Sequence, residues 1–162
     1  MGFLGVAQID RFANINTTVI GSYENPKVRL PGSGGASEIA TSCGEIFVIT
    51  AHRSRTLIPK VDFVTSFGHG DGGDHRQRLG IQTKGPSLVV TDLSLMRPDP
   101  ETKELEVMSI HEGVTRGDIE DNTGWPIRFA RRVEQTPPPT SGELEVLRDL
   151  HARTARAHAG AT

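Results

Sequence analysis

Apolar positions fall in short runs broken by polar, Gly- and Pro-containing segments, a pattern that predicts many short strands with few helices between them. Gly2 to Ile9 is apolar and mostly small, as a strand covered on both faces would be, and it closes on the polar group Gln8-Ile9-Asp10-Arg11. Phe12 to Asn16 reads as a turn, because Asn side chains bond nearby backbone and tolerate left-handed conformations. Thr17 to Ile20 is a β-branched strand, and Lys27 to Leu30 carries the chain into a Gly-rich loop and a short helix. Ile46 to Thr50 gives the clearest strand pattern, with Leu88 to Thr91 close behind it. Leu93–Met96 and Leu105–Ile110 bracket a Pro-containing turn and predict an antiparallel hairpin. Thr115 is placed to N-cap a short helix that Gly124 ends, and Trp125 to Ala130 reads as an edge strand with Pro126 tolerated at its start.

The C-terminal pattern differs. Gln135 to Pro139 is an extended spacer, and Thr140-Ser141-Gly142-Glu143 has the form of a capping box opening the last helix. Leu144, Leu147 and Leu150 recur on one helical face, which predicts a helix docked on its own domain. The tail after Arg156 is expected to fray. The expected organisation is a core over residues 1–134, followed by a spacer and docked helix over 135–162.

Candidate chemistry begins at Pro31-Gly32-Ser33-Gly34-Gly35-Ala36. Three glycines in four residues remove the Cβ atoms that would keep a ligand off the backbone, and the helix that follows turns unpaired N–H groups toward the loop. That outlines an anion or oxyanion site; a plain strand-to-helix turn is the competing reading. The segment completes neither the dinucleotide fingerprint nor the P-loop. A second Gly-rich stretch holds His69, Asp71, Asp74 and His75, residue types that bind divalent ions, although a solvated surface loop near a ligand explains them more simply. Arg11, Arg53, Arg55, Arg76 and Arg78 are candidates to pair with a substrate carboxylate, against the simpler reading of solvated charge.

Composition narrows the class. With 162 residues the chain is one domain or the larger part of one, and a net charge of -2 supplies no field for nucleic acid or an anionic membrane. The single Cys43 excludes an internal disulfide and fits a reducing compartment. No apolar run approaches the ~20 residues of a membrane span, so the expectation is a cytoplasmic protein.

Four stretches carry a resemblance. Gly5-Val6-Ala7-Gln8-Ile9-Asp10-Arg11-Phe12-Ala13-Asn14-Ile15-Asn16-Thr17-Thr18, Gly32-Ser33-Gly34-Gly35-Ala36, Val48-Ile49-Thr50-Ala51-His52, and His111-Glu112-Gly113-Val114-Thr115 with Thr123-Gly124 resemble, in order, the β subunit of the family I CoA-transferases, of the glutaconate and 3-oxoadipate type. Ala13 stands where that family usually has glycine. The resemblance implies an α/β fold with an open, mainly parallel sheet flanked by helices, an α subunit as partner, and acyl-CoA and carboxylic acid substrates between the two. It implies no metal and no organic cofactor, coenzyme A being a substrate. A glutamate carboxylate would attack the thioester and pass through an anhydride to a glutamyl-CoA thioester. Gly34 and Gly35 would then be oxyanion donors, with Gly32, Ser33, Ala36, Gln8, Asn14 and Asn16 as CoA- or substrate-binding positions.

One departure stands out. The family's nucleophilic glutamate lies upstream of the Asp-Arg motif in a Glu-Ser/Asn-Gly-like sequence, and neither Glu24 nor Glu38 sits in such a motif. The chain therefore reads as an N-terminally truncated subunit, inactive by itself and poorly soluble at an exposed sheet edge. Two other readings accompany it: a hydrolase cleaving a ring ketone of a CoA thioester, and a non-catalytic CoA-binding or assembly subunit.

Overall fold

A computed structural model describes residues 1–159 of the chain. In chain order its elements are β1 (Gly2–Leu4), β2 (Gln8–Ile9), β3 (Ile15–Asn16), β4 (Val19–Gly21), β5 (Pro26–Arg29), α1 (Ala36–Ser42), β6 (Ile46–Ile49), α2 (His75–Arg78), β7 (Pro86–Val90), β8 (Ser94–Pro98), β9 (Leu105–Ile110), α3 (Arg116–Asp121), β10 (Arg128–Gln135) and α4 (Ser141–Ala159). Six of the strands form one sheet in the order β1-β6-β7-β8-β9-β10. β1, β6 and β7 are mutually parallel, β8 runs against both its neighbours, and β10 is parallel to β9. Only β8 therefore opposes the common direction, and the sheet is open and mainly parallel as expected.

Burial explains this arrangement. Ile46, Val48, Val89, Met96, Leu105 and Val107 are fully buried along the central strands, and Ile9, Ile15 and Leu57 pack from the segments that cross one face. Fully burying a side chain of this size contributes about 1.5–3 kcal/mol, which makes these positions the main source of cohesion. The expected β8–β9 hairpin forms, and Thr115 caps α3 through a reciprocal pair with Asp118. α3 ends at Asp121, before Gly124.

Several boundaries differ from expectation. Gly2–Ile9 is not one strand covered on both faces: β1 is the sheet edge with Phe3 59% exposed, and the chain leaves at Gly5 so that β2 can pair with β3. Pro126 precedes β10 instead of lying in it, and the strand continues to Gln135, because Trp125 turns into the core first. The Gly-rich stretch 68–75 is a surface loop only in part, with Asp71, Gly73 and Asp74 exposed. Gly68 and His69 are buried against the β2–β3 turn, where Gly68 N–H and Gly70 N–H donate to Asn14 Oδ1 at 3.1 and 3.0 Å.

The last helix departs most. Its capping box forms, with Thr140 N–H and Oγ1 both bonded to Glu143 Oε2 at 2.8 Å, but no residue of α4 is buried. Leu147 and Leu150 are 47% and 49% exposed, so among the described residues nothing covers the face that their spacing predicts to be docked. Helical periodicity marks a face that can be buried and does not specify what covers it. The helix persists beyond Arg156 to Ala159, and the rest of the tail expected to fray lies outside the described residues.

Candidate active site at the C-terminal end of the sheet

Strand direction brings the separated motifs together. Because β1, β6, β7, β9 and β10 share one direction, their following residues, Gly5, Thr50–His52, Thr91–Asp92, His111 and Thr136, emerge at one end of the sheet. In open α/β sheets this carboxyl end is where ligands bind. The Gly-rich loop joins them: a Cβ on Gly2, at the start of β1, would lie 2.5 Å from Ile39 and 3.3 Å from Cys43. The end of α1 thus faces the beginning of β1, and its N-terminal loop points toward the strands' carboxyl end.

The loop is fixed at one side and open at the other. Gly32 N–H donates to Thr17 O and Thr17 Oγ1 to Gly32 O, both at 2.8 Å. Thr17 N–H donates in turn to Thr65 Oγ1 at 2.9 Å. Beyond this clamp Gly34 and Gly35 are exposed, a Cβ on either would meet nothing within 4 Å, and among the described residues no acceptor faces their N–H groups. Gly34 has φ +49°, which costs an ordinary L-residue ~1 kcal/mol or more. Ser33 Oγ bonds only the neighbouring Gly34 O, at 3.2 Å, and Ala36 opens the helix. The outcome is a pair of fixed donors with room for a ligand to approach.

Gln8, Asn14 and Asn16 have their polar groups engaged within the protein. Asn16 Nδ2 donates to Gln8 Oε1 and Val19 O, each at 2.6 Å, while its Oδ1 accepts from Thr18 N–H at 2.9 Å. Gln8 Nε2 donates to Asp62 Oδ2 at 2.8 Å. Asn14 Nδ2 donates to Asp10 Oδ2 and Gly70 O at 3.0 and 2.8 Å. Asn16 is linked to the Gly-rich loop through Thr65 and Thr17, whereas Asn14 braces the β2–β3 turn against Gly68 and Gly70. Asn14 also lines a cleft of about 440 Å³, with Asp10, Arg11, Lys60 and Phe67, that does not include the Gly-rich loop. Burial pushes the Asp10 carboxyl up, and the Asn14 side chain and three backbone N–H groups pull it back.

A polar chain runs along the carboxyl end of the sheet. His52, fully buried after β6, places Nδ1 3.0 Å from Thr91 Oγ1 and Nε2 2.9 Å from Thr123 Oγ1. Thr123 Oγ1 donates to Ile119 O at 2.7 Å and Thr91 Oγ1 to Ser94 O at 2.9 Å, so each hydroxyl has a carbonyl acceptor of its own besides the ring. Burial pushes the imidazole down to about 4, against the pull of Asp92. His111 Nε2 donates to Thr91 O at 2.9 Å and Nδ1 meets Thr136 Oγ1 at 2.8 Å. Asp92 accepts from His52 N–H at 2.6 Å and pairs with Arg53 at 2.9 Å, which accounts for that arginine. Thr91, Thr136, Thr65 and Asp62 carried no motif; only strand order reveals their place.

The remaining sequence candidates lie apart. His69 Nε2 faces Pro86 O at 2.8 Å, His75 Nδ1 accepts from Asp71 N–H at 2.9 Å, and Asp74 pairs with Arg78 at 2.9 Å. Among the described residues no three His, Cys, Asp or Glu side chains are grouped to hold a metal. Arg76 is 3% exposed and not solvated charge as expected; it donates to carbonyls of Phe67, Gly68, Ala40 and Thr83. Glu38 is exposed in the first turn of α1.

Comparison with known proteins agrees with this geometry. The coenzyme A transferase family model matches residues 1–122. The chain is 57% identical to the B subunit of 3-oxoadipate CoA-transferase from Pseudomonas knackmussii, covering 98% of this chain and 61% of that protein. It is 40% identical to the B subunit of glutaconate CoA-transferase from Acidaminococcus fermentans, covering 85% of this chain and 52% of that one. The crystal structure of the latter enzyme superposes with a TM-score of 0.82 at 37% identity, over 90% of this chain and 56% of that one. The cholesterol ring-cleaving hydrolase IpdB subunit of Mycobacterium tuberculosis is 26% identical over 90% of this chain and 57% of its own length. The chain thus spans half to three-fifths of the length of these relatives, its loop and sheet motifs all lying in the shared part. It belongs to the coenzyme A transferase family.

Proposed function

We propose that the chain is part of the β subunit of a CoA-transferase that moves CoA from an acyl-CoA to a dicarboxylic or 3-oxo acid, acting together with an α subunit. The observation that carries this is the open donor pair at Gly34 and Gly35, clamped through Thr17 and Thr65 in a chain 57% identical to the B subunit of a 3-oxoadipate CoA-transferase. In this reading a glutamate carboxylate attacks the thioester carbonyl, and collapse of the adduct expels CoA thiolate and leaves an acyl-glutamyl anhydride. The thiolate then attacks the glutamyl carbonyl, releasing the donor acid and forming glutamyl-CoA. The acceptor acid repeats both steps in reverse. Each addition places negative charge on a carbonyl oxygen, where a preorganised N–H donor is worth about 3–4 kcal/mol. Coenzyme A is a substrate and no resident cofactor is needed. In this reading the attacking glutamate lies outside residues 1–162; Glu24 and Glu38, the carboxylates nearest the matching motifs, lie in no Glu-Ser/Asn-Gly-like sequence.

The test is CoA transfer from succinyl-CoA to a 3-oxo dicarboxylic acid, followed by chromatography, with this chain in its full-length subunit and the α subunit present. Product thioester that depends on the acceptor supports the proposal. Release of free acid without an acceptor would support the hydrolase reading instead. Intact mass after borohydride trapping of this chain alone should show no adduct; a labelled Glu38 would sink the assignment of the nucleophile elsewhere.

A further inference from the structure

At the opposite end of the sheet, where β7 begins and β8 ends, lies a cleft of about 380 Å³. Arg76 and His69, each 3% exposed, form its buried side; Lys84 and Lys103 stand around it with Gln77 and Gln82. No Asp or Glu lines it among the described residues, although acidic residues outnumber basic ones in the chain, 20 to 18. Three cations and two amide groups therefore meet in one concavity without a carboxylate.

Among the described residues the buried charge pairs with no carboxylate. Arg76 donates to Phe67 O, Gly68 O, Ala40 O, Thr83 O and Thr83 Oγ1 at 2.7–3.3 Å, so its N–H groups are satisfied by neutral acceptors and its charge is not neutralised. A cation taken out of water is retained when something compensates it. Lys103 adds a second sign of construction: it holds φ +64°, rarely adopted by a non-glycine residue, while its Nζ donates to Pro100 O at 2.6 Å. Burial first, and then Arg76 and Lys103, push His69 down to about 4 against the pull of Pro86 O, which fits convergence of both cations on this cleft.

We infer that this cleft binds a phosphate dianion, free or as a phosphate monoester. The Lys84 and Lys103 ammonium groups complement its charge, the Gln77 and Gln82 amides supply neutral donors, and the fixed Arg76 charge sets the field. The volume exceeds one phosphate and leaves room for an ester substituent. The inference stands independently of the transfer reaction, whose donors lie at the other end of the sheet.

The experiment is a titration of the full 162-residue chain with inorganic phosphate, followed by amide NMR shifts at constant ionic strength with chloride as reference. Saturable shifts centred on Gln77, Gln82, Lys84 and Lys103 are expected, weakened at least tenfold in a Lys84→Ala/Lys103→Ala variant whose melting curve is unchanged. Should that variant fold poorly, Gln82→Glu, at an exposed position, provides the same loss by adding a negative charge. Adenosine monophosphate binding more tightly than phosphate would assign an ester, and equal binding a free phosphate. Absence of saturation, or wild-type affinity in both variants, overturns the proposal.

Discussion

Gly68→Ala tests the junction on which the scaffold depends. A Cβ there would stand 2.1 Å from Ala13 O, 2.3 Å from Ala13 C and 2.5 Å from Asn14 N, whereas real Cβ contacts essentially never fall below 3.0 Å. All three obstacles are backbone, so the methyl cannot be accommodated by a rotamer change; the two segments must separate by about 1 Å, at an overpacking cost of about 1–3 kcal/mol. Separation also stretches Gly68 N–H to Asn14 Oδ1, at 3.1 Å, and the charged bond from Arg76 to Gly68 O, at 2.7 Å. Losing these two buried bonds adds about 2–4 kcal/mol. A total loss of about 4 kcal/mol lowers the urea midpoint by about 2 M for a slope of about 2 kcal/mol/M. Gly5→Ala is the control, because a Cβ there meets nothing within 4 Å. The comparison is urea unfolding of the two variants and the parent chain. A Gly68→Ala midpoint within about 0.25 M of the parent, about 0.5 kcal/mol, would refute the claim that this contact holds the site's scaffold together.

Other consequences can be measured separately. Gly35→Ala adds a methyl into open space and should leave the melting temperature unchanged while lowering CoA transfer by the complete enzyme about 10²-fold, the order expected when reacting groups are displaced by about 1 Å; unchanged kcat/KM would remove the loop from the chemistry. His52 and His69 are lowered from 6.5 to about 4, so the folded state resists protons that the unfolded chain accepts. Their contribution is complete above pH 6.5 and is lost as pH falls toward 4, by at most about 3 kcal/mol each, with Asp10, whose carboxyl burial raises, acting in the opposite sense. Stability measured across this interval should decline, and less steeply in His52→Asn; a flat profile for the parent chain would contradict the assigned burial. Leu147→Lys with Leu150→Lys should change unfolding free energy by less than about 0.5 kcal/mol, since α4 buries nothing, and should reduce light scattering of the isolated chain. A loss above about 2 kcal/mol would show that α4 docks after all.

What could be read from the chain divides by the range of the interactions involved. The Thr115 and Thr140 caps, the β8–β9 hairpin and the α1 turn depend on residues within a few positions of one another, and each forms as expected. Gln8 and Asn16 also stood out locally, but their hydrogen-bond partners include Asp62 and Thr65, about fifty residues away in sequence, which no local pattern indicates. Arg76 gives the sharper case. Its own neighbours, His75 and Gln77, suggest an exposed basic segment, and only the approach of Ala40, Phe67 and Thr83 makes it a buried cation. Apolar periodicity fails in the other direction at α4, where the pattern is present and its cover is not. A site built at the end of a parallel sheet gathers residues from successive crossovers, so its members are far apart in sequence by construction. The glycines are legible because their backbone requirement is local; the threonines that clamp Gly32, and the histidines at the carboxyl end of the sheet, are ordinary residues until strand order gives them neighbours.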